Sequence, residues 1–268
     1  MGNISIVTAF FDIGRGEWTP DKNLPHYLQR TNDTYFERFG YMASLDNEMI
    51  IYTSEEFVDK VLSYRKGKED KTKIVTIDFK NSYKELREAI IKVQNDENYQ
   101  KMISPYQKLN PEYWSPDYVL VNTLKSIFVN NAIRDNIITN ELVAWIDFGY
   151  CRNVEMLGGK TEWNYNFDSE KIHFFELKKF DPARSIQEII SLNEPHMLGA
   201  KIVAGKTMWP KLEYLIIHSF DELIKHNLVD DDQTLMLMSY LYSPGLFEIH
   251  EIVQDWIENG SIFKYYNV

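Results

Sequence analysis

The chain has a single cysteine, Cys151, among its 268 residues, which excludes an internal disulfide and any zinc site built from several thiolates. It has no apolar run near the ~18 residues that read as a membrane-spanning helix. It also lacks a basic stripe of the kind that follows a phosphate backbone. Lys and Arg number 29 against 40 Asp and Glu, a formal net charge of −11, so nucleic acid is excluded as the expected partner. The nearest basic run, Tyr64-Arg65-Lys66-Gly67-Lys68, passes at once into Glu69-Asp70-Lys71 and reads as a solvated loop. No secretory leader pattern opens the chain, and Ile6 stands where an N-myristoylation signal needs Ser or Thr. P-loop and Rossmann glycine fingerprints, internal repeats and low-complexity segments are all missing. These absences set the expectation of a cytoplasmic protein without a transmembrane segment, with contact at the inner face of the membrane left open.

What is present is an α/β pattern. Ile4–Phe11, Glu48–Thr53, Lys73–Phe79 and Leu142–Phe148 are apolar runs of strand length. Helical spacing over Leu24–Phe39, Glu55–Tyr64, Ser82–Val93 and Tyr118–Arg134 alternates with them, which predicts a largely parallel sheet. The polar segment 95–116, marked by Pro105, Pro111 and Pro116, reads as a loop over a cleft. After Gly149 the pattern changes. Trp163–Phe180 alternates aromatics in a way that suits an antiparallel pair, Ile202–Val203 is a short strand candidate, and helices are expected over Lys211–Asn227 and from the Asp230-Asp231-Asp232 cap to Tyr242. The fold expected is α/β, GT-A-like: a Rossmann-type, mostly parallel central sheet with a mixed, antiparallel C-terminal part. A length of 268 residues favours one domain, with 1–150 as a nucleotide-binding half and 151–268 as an acceptor-binding half.

Four segments carry candidate chemistry. In Leu142–Tyr150 a buried strand delivers Asp147 at its C-terminal end, where α/β sheets bind ligands. A strand-end carboxylate suits Mg²⁺ or Mn²⁺ on a diphosphate. The customary Asp-x-Asp is incomplete, because Asp147-Phe148-Gly149 has glycine in the third place; the bland alternative is an Asp that caps the next turn. In Val7–Trp18, a first strand followed by a Gly-containing loop places Thr8, Ala9, Phe10, Asp12 and Arg15 where a nucleotide docks, Asp12 toward ribose or base and Arg15 toward phosphate. The small residues Ala204 and Gly205 suggest backbone packed against a sugar. In Asp230-Asp231-Asp232 capping needs one acid, which leaves the others to bind acceptor hydroxyls or accept a proton. Lys125 could reach a phosphate from the cleft side, and His250 could complete a metal site begun by Asp147, although a lone His is more often structural.

Thr8-Ala9-Phe10-Phe11-Asp12-Ile13-Gly14-Arg15-Gly16, Trp18-Thr19-Pro20-Asp21-Lys22, Trp145-Ile146-Asp147-Phe148-Gly149-Tyr150 and Asp231-Asp232-Gln233-Thr234 together resemble the bacterial HtrL/YibB family, also called WlaTC-type proteins. The resemblance covers nearly the whole chain. It implies a role in lipopolysaccharide or other surface-polysaccharide synthesis, hence a glycosyltransferase using a nucleotide-diphosphate sugar, UDP-linked as the first guess, on an oligosaccharide or lipid-linked acceptor. In that scheme Thr8–Arg15, Lys125 and Asp147-Phe148-Gly149 hold the donor, Ala204-Gly205 line the sugar, Asp147 and His250 ligate Mn²⁺ or Mg²⁺, and Asp232 or Asp231 acts on the acceptor. The rival readings are a metal-dependent hydrolase or phosphatase, and a non-catalytic nucleotide-sugar-binding protein.

Overall fold

The structure, a computed structural model, describes residues 3–19 and 24–252. Seven strands, β1 (Ile4–Phe10), β2 (Met49–Thr53), β3 (Thr72–Thr76), β4 (Leu142–Ile146), β5 (Ile172–Glu176), β6 (Lys201–Gly205) and β7 (Phe247–Glu251), form one sheet in the order β3-β2-β1-β4-β6-β5-β7. The first four are mutually parallel. β6 runs antiparallel to β4 and β5, and β7 lies parallel to β5 at the far edge. This is the α/β, mostly parallel sheet with a mixed C-terminal part that the patterning predicts.

Burial explains which strands could be read from sequence. Every residue of β1, β2, β4 and β6 is buried, since layers cover both faces of the central sheet, and such strands read as unbroken apolar runs. The edge strands β3 and β7 bury their first residues and expose others. β7, with sequence Phe-Glu-Ile-His-Glu, is not an apolar run and escapes sequence reading. The antiparallel pair expected over Trp163–Phe180 does not form. Within it only β5 is a strand, and its partners come from distant β6 and β7.

Among the described residues ten helices pack around the sheet: α1 (Asn32–Ala43), α2 (Val58–Tyr64), α3 (Phe79–Ser82), α4 (Lys84–Gln94), α5 (Glu97–Met102), α6 (Pro116–Thr123), α7 (Lys125–Arg134), α8 (Ile186–Leu192), α9 (Trp209–Lys225) and α10 (Asp232–Tyr242). One face of the sheet, with Val7, Tyr52, Val143, Trp145 and Ile202, packs against Ile90, Leu120, Phe128, Leu212 and Leu235 of α4, α6, α7, α9 and α10. The alternate residues Ile6, Ile51, Ala144, Ile146 and Val203 face Phe36, Phe39 and Met42 of α1 and Val61 of α2, as the two-residue period of a strand requires. Among the described residues no helix is long and apolar enough to cross a membrane.

Three local departures matter for the site. α1 begins at Asn32, not Leu24, because the Thr31 side chain accepts the Thr34 N–H and caps it there. The expected helix Tyr118–Arg134 starts earlier, at a Ser115 cap with Pro116 in the first turn, and divides at Leu124. Just before the division Asn122 Nδ2 and Thr123 Oγ1 each donate to the carbonyl four residues back, a pattern that bends helices. Lys125 opens the second segment pointing inward. Finally, Arg65 is no loop residue in solvent. It is fully buried, donating to the carbonyls of Ala43, Leu45 and Asn47 and to Thr72 Oγ1. Burial lowers its pKa to about 10, and the guanidinium ties the end of α1 to β2 and β3.

Candidate functional site

A cavity of about 320 Å³ opens at the C-terminal ends of the parallel strands β1 and β4, where the chain leaves the sheet and backbone groups are free to meet a ligand. Phe11 and Arg15 reach it from the loop after β1, and Trp145, Asp147 to Tyr150 and Arg152 from the end of β4. Leu198-Gly199-Ala200 enter from the approach to β6, Tyr118 and Asn122 from α6, and Asp231, Asp232 and Gln233 from the start of α10.

At its floor the Lys125 ammonium, 4% exposed, is held by three oxygens: Asp232 Oδ2 at 2.6 Å, Asp147 Oδ1 at 2.8 Å and the Gly199 carbonyl at 3.0 Å. Asp147 Oδ1 also accepts from Trp145 Nε1 at 2.7 Å. Burial disfavours the ammonium, but the two carboxylates more than offset it, and the Lys125 pKa rises above its ordinary value. Lys125 is thus a fixed cation at the centre of the site. Gly199 is required beside it, because a Cβ there would stand 2.2 Å from Asp232 Oδ2.

The three consecutive acids at the start of α10 are all buried and each does something different. Asp230 Oδ2 accepts from Thr234 Oγ1 at 2.6 Å, while its Oδ1 is buried with no hydrogen-bond partner. Asp231 caps the helix by accepting the Gln233 N–H. Asp232 pairs with Lys125. Burial raises the Asp230 carboxyl to about 7 and, with repulsion from its neighbours, pushes Asp231 well above the carboxylate range. Glu112, beneath them and donated to by Asn193 Nδ2 at 2.7 Å, is raised to about 8 by burial and by Asp230. Burial also raises Asp232, against the pull of Lys125.

The rim has the opposite sign. The Arg15 guanidinium sits among three rings, 4.5 Å from Trp18, 5.2 Å from Tyr118 and 5.3 Å from Tyr35, an arrangement that holds it by cation–π attraction. Arg30 and Arg152 also line the cavity. Arg38, on α1 behind them, has a buried Nη1 with no hydrogen-bond partner. Its pKa is lowered by burial and then by Arg30 and Arg152, and Arg152 is lowered by burial and then by Arg30. These guanidinium groups therefore sit close enough to repel one another.

Of the residues singled out from sequence, Ala9, Phe10, Arg15, Lys125, Asp147, Phe148, Gly149, Asp231 and Asp232 line this one cavity. Thr8 is fully buried on β1 and does not line it. Asp12 faces a neighbouring hollow, its carboxylate occupied by the Gly14 N–H and Asn32 Nδ2. Ala204 and Gly205 lie elsewhere: Gly205 pairs with Leu142, at the end of β4 remote from Asp147. A Cβ on Gly205 would meet the Ser169 carbonyl oxygen at 2.2 Å, so that glycine serves backbone packing rather than a sugar. The small residues that do line the cavity are Gly199 and Ala200, a few positions earlier in the same segment.

His250 and Asp147 are not brought together. Strand pairing sets His250 beside Phe175, on the α1 side of the sheet, whereas Trp145 and then Asp147 point to the other side. His250 Nε2 instead lies 2.9 Å from His173 Nδ1, with Glu248 next to both, and these three could hold a metal ion away from the cavity. Burial lowers both imidazole pKa values, His250 to about 4. Sequence reading missed Arg30, Tyr35, Arg38, Tyr118 and Arg152; each has the look of an ordinary surface or packing residue until the fold gathers them.

Among solved structures, mouse xyloside xylosyltransferase 1 in its apo form aligns over 98% of this chain and 93% of its own, at 12% identity and a TM-score of 0.42. The galactosyltransferase LgtC in complex with donor and acceptor sugar analogs aligns over 92% and 72%, at 11% identity and the same TM-score. Protein HtrL of Escherichia coli (strain K12) is 40% identical over 264 residues, 97% of this chain and 92% of that protein. The family model described as "Bacterial protein of unknown function (HtrL_YibB)" matches residues 2–265, and the chain therefore belongs to the HtrL/YibB family.

Proposed function

We propose that this chain is a GT-A-like glycosyltransferase that moves a sugar from a nucleoside-diphosphate donor, UDP-linked as the first choice, to a hydroxyl of a surface-glycan acceptor such as lipopolysaccharide, lipooligosaccharide or capsule. The observation that carries the reading is the cavity itself. In a chain of net charge −11, one pocket at the ends of β1 and β4 has an arginine rim with aromatic walls and a floor of carboxylates around the buried Lys125. Arginines and rings suit the phosphates and base of a nucleotide, and carboxylates suit the hydroxyls of a sugar acceptor.

In this scheme Arg15 and its neighbours bind the donor phosphates and offset the charge that builds on the leaving diphosphate. Lys125, already paired with Asp147 and Asp232, fixes the floor on which the sugar rests. An inverting transfer needs a base for the acceptor hydroxyl. A carboxylate with a raised pKa is a stronger base than an ordinary one once it is ionised, which makes Asp232, whose ionised form Lys125 favours, the first choice and Asp231 the second. Thermal-shift measurements of the whole chain against UDP-, GDP-, CMP- and dTDP-sugars test the reading: one intact sugar nucleotide should stabilise the protein, by the mass-action relation for a ligand that binds only the folded state. Stabilisation by none of them removes the proposal. Release of nucleoside diphosphate that depends on an added glycan acceptor separates transfer from hydrolysis, and loss of that release in Asp232→Asn with normal folding supports the assigned base.

A further inference from the structure

A divalent cation does not fit the floor of this cavity. Asp147 Oδ1, the oxygen a strand-end metal would take, already accepts from Lys125 and Trp145. Asp232, the nearest second carboxylate, faces the same ammonium. A third ligand at position 149 is impossible without rebuilding, because a Cβ on Gly149 would stand 2.5 Å from the Tyr35 ring. Mg²⁺ and Mn²⁺ on a diphosphate need one or two carboxylates free to coordinate, and here the Lys125 ammonium engages both.

The rim supplies what the floor withholds. Four basic residues line the cavity, Arg15, Arg30, Arg152 and Lys125, against three acids, Asp147, Asp231 and Asp232, so the local balance is positive although the chain is strongly acidic. Among the described residues no carboxylate forms an ion pair with Arg15, Arg30 or Arg38. Arg15, Arg30 and Arg152 converge on one cavity, and Arg30 and Arg152 sit close enough to repel each other, a concentration of positive charge that a doubly charged anion relieves. We infer that the diphosphate is held by Arg15, Arg30 and Arg152 without a divalent cation, whose place is taken by the Lys125 ammonium. The inference rests on the nucleotide-donor reading and adds to it the way the diphosphate is bound.

The test is calorimetric titration of the full chain with UDP and with inorganic pyrophosphate, in EDTA and again in MnCl₂. The expected result is binding of UDP with the same affinity in both, falling as salt is raised. Arg15→Gln and Arg30→Gln should each weaken binding at least about tenfold, given the strength of charge-assisted hydrogen bonds, with Arg→Lys variants at the same positions recovering part of it. Unchanged thermal unfolding of the apo variants shows that the loss is local; should Arg15→Gln misfold, Arg30→Gln and the salt dependence decide. Binding only in MnCl₂, or affinity untouched by the arginine changes, overturns the inference and leaves the donor reading standing. If UDP, pyrophosphate and the other nucleoside diphosphates all fail to bind under either condition, the donor reading itself falls.

Discussion

Replacing Lys125 with Met removes the ammonium while keeping the length and most of the volume of the side chain. In the native protein that ammonium is 4% exposed and contacts Asp147, Asp232 and the Gly199 carbonyl. Its loss leaves Asp232, itself 5% exposed, as a buried carboxylate beside a second one. Breaking a buried pair by removing one partner costs about 3–5 kcal/mol, because the remaining charge keeps its desolvation penalty without compensation. Asp232 escapes part of that cost by taking up a proton. Its folded-state pKa then lies above its unfolded value, so Lys125→Met has its stability intact at low pH and loses it as pH rises through the folded pKa. Lys125→Met/Asp232→Asn removes both the charge and the slope. Asp147, with 37% of its side chain exposed, can turn to water, so the double variant should recover about 2 kcal/mol of the loss, a coupling within the range seen for residues in contact. Guanidinium denaturation of the wild type, Lys125→Met, Asp232→Asn and the double variant at pH 6 and pH 8 measures this directly. A Lys125→Met cost below about 1 kcal/mol, or single-variant costs that simply add in the double, would refute the ion-pair account of the floor.

Three further outcomes follow from the same geometry. Gly149→Asp, which restores Asp-x-Asp on paper, should drive the new side chain into Tyr35, cost about 1–3 kcal/mol as overpacking does, and create no Mn²⁺ binding in a titration with the metal alone. Asp230, whose carboxyl is pushed up to about 7 with one oxygen unpartnered, contributes stability that is lost as pH rises from its unfolded value near ~3.9 through the folded one. Between pH 5 and pH 8 the wild type should therefore lose on the order of 2 kcal/mol to this group, and denaturation curves of Asp230→Asn should show that much less pH dependence. Cys151 is fully buried and burial raises its thiol pKa far above the usual range, so a thiol reagent should label it only in denaturant; prompt labelling of the native protein would contradict its placement.

Much of the fold was legible in the sequence because the central strands are buried on both faces. The runs around β1, β2 and β4 carry no polar alternation to blur them, and their ends were found to within a residue or two. β7 was not legible, since its Phe-Glu-Ile-His-Glu pattern belongs to an exposed edge, and its pairing with β5 spans most of the C-terminal half. The same distinction divides the site. Asp147 announces itself as an acid at the end of an apolar strand, and Arg15 as a charge in a glycine loop. Arg30 and Arg152 lie in loops at positions where surface arginines are common, and only the fold brings them to one cavity. Ala204-Gly205 shows the reverse error. A small-residue run marks a close approach, but sequence does not say whether the approaching atom belongs to a ligand or, as here, to Ser169.

The acid triplet shows what capping leaves open. Three aspartates in a row are more than capping needs, and the sequence leaves the others to acceptor hydroxyls or a proton. In the fold, Asp230 turns away to Thr234 and Asp231 caps α10, which leaves Asp232 alone to face the floor. There it meets a lysine that is 107 residues away in the chain and reaches the floor because α6 and α7 divide at Leu124. A carboxylate pair would have favoured a divalent ion; the inserted ammonium makes the same two carboxylates into its own counter-ions. With that charge settled internally, attraction for an anionic ligand has to come from elsewhere around the cavity, and the arginine rim is where the structure concentrates it. Changing the rim should therefore alter phosphate affinity with little effect on folding, whereas changing Lys125 should alter folding first.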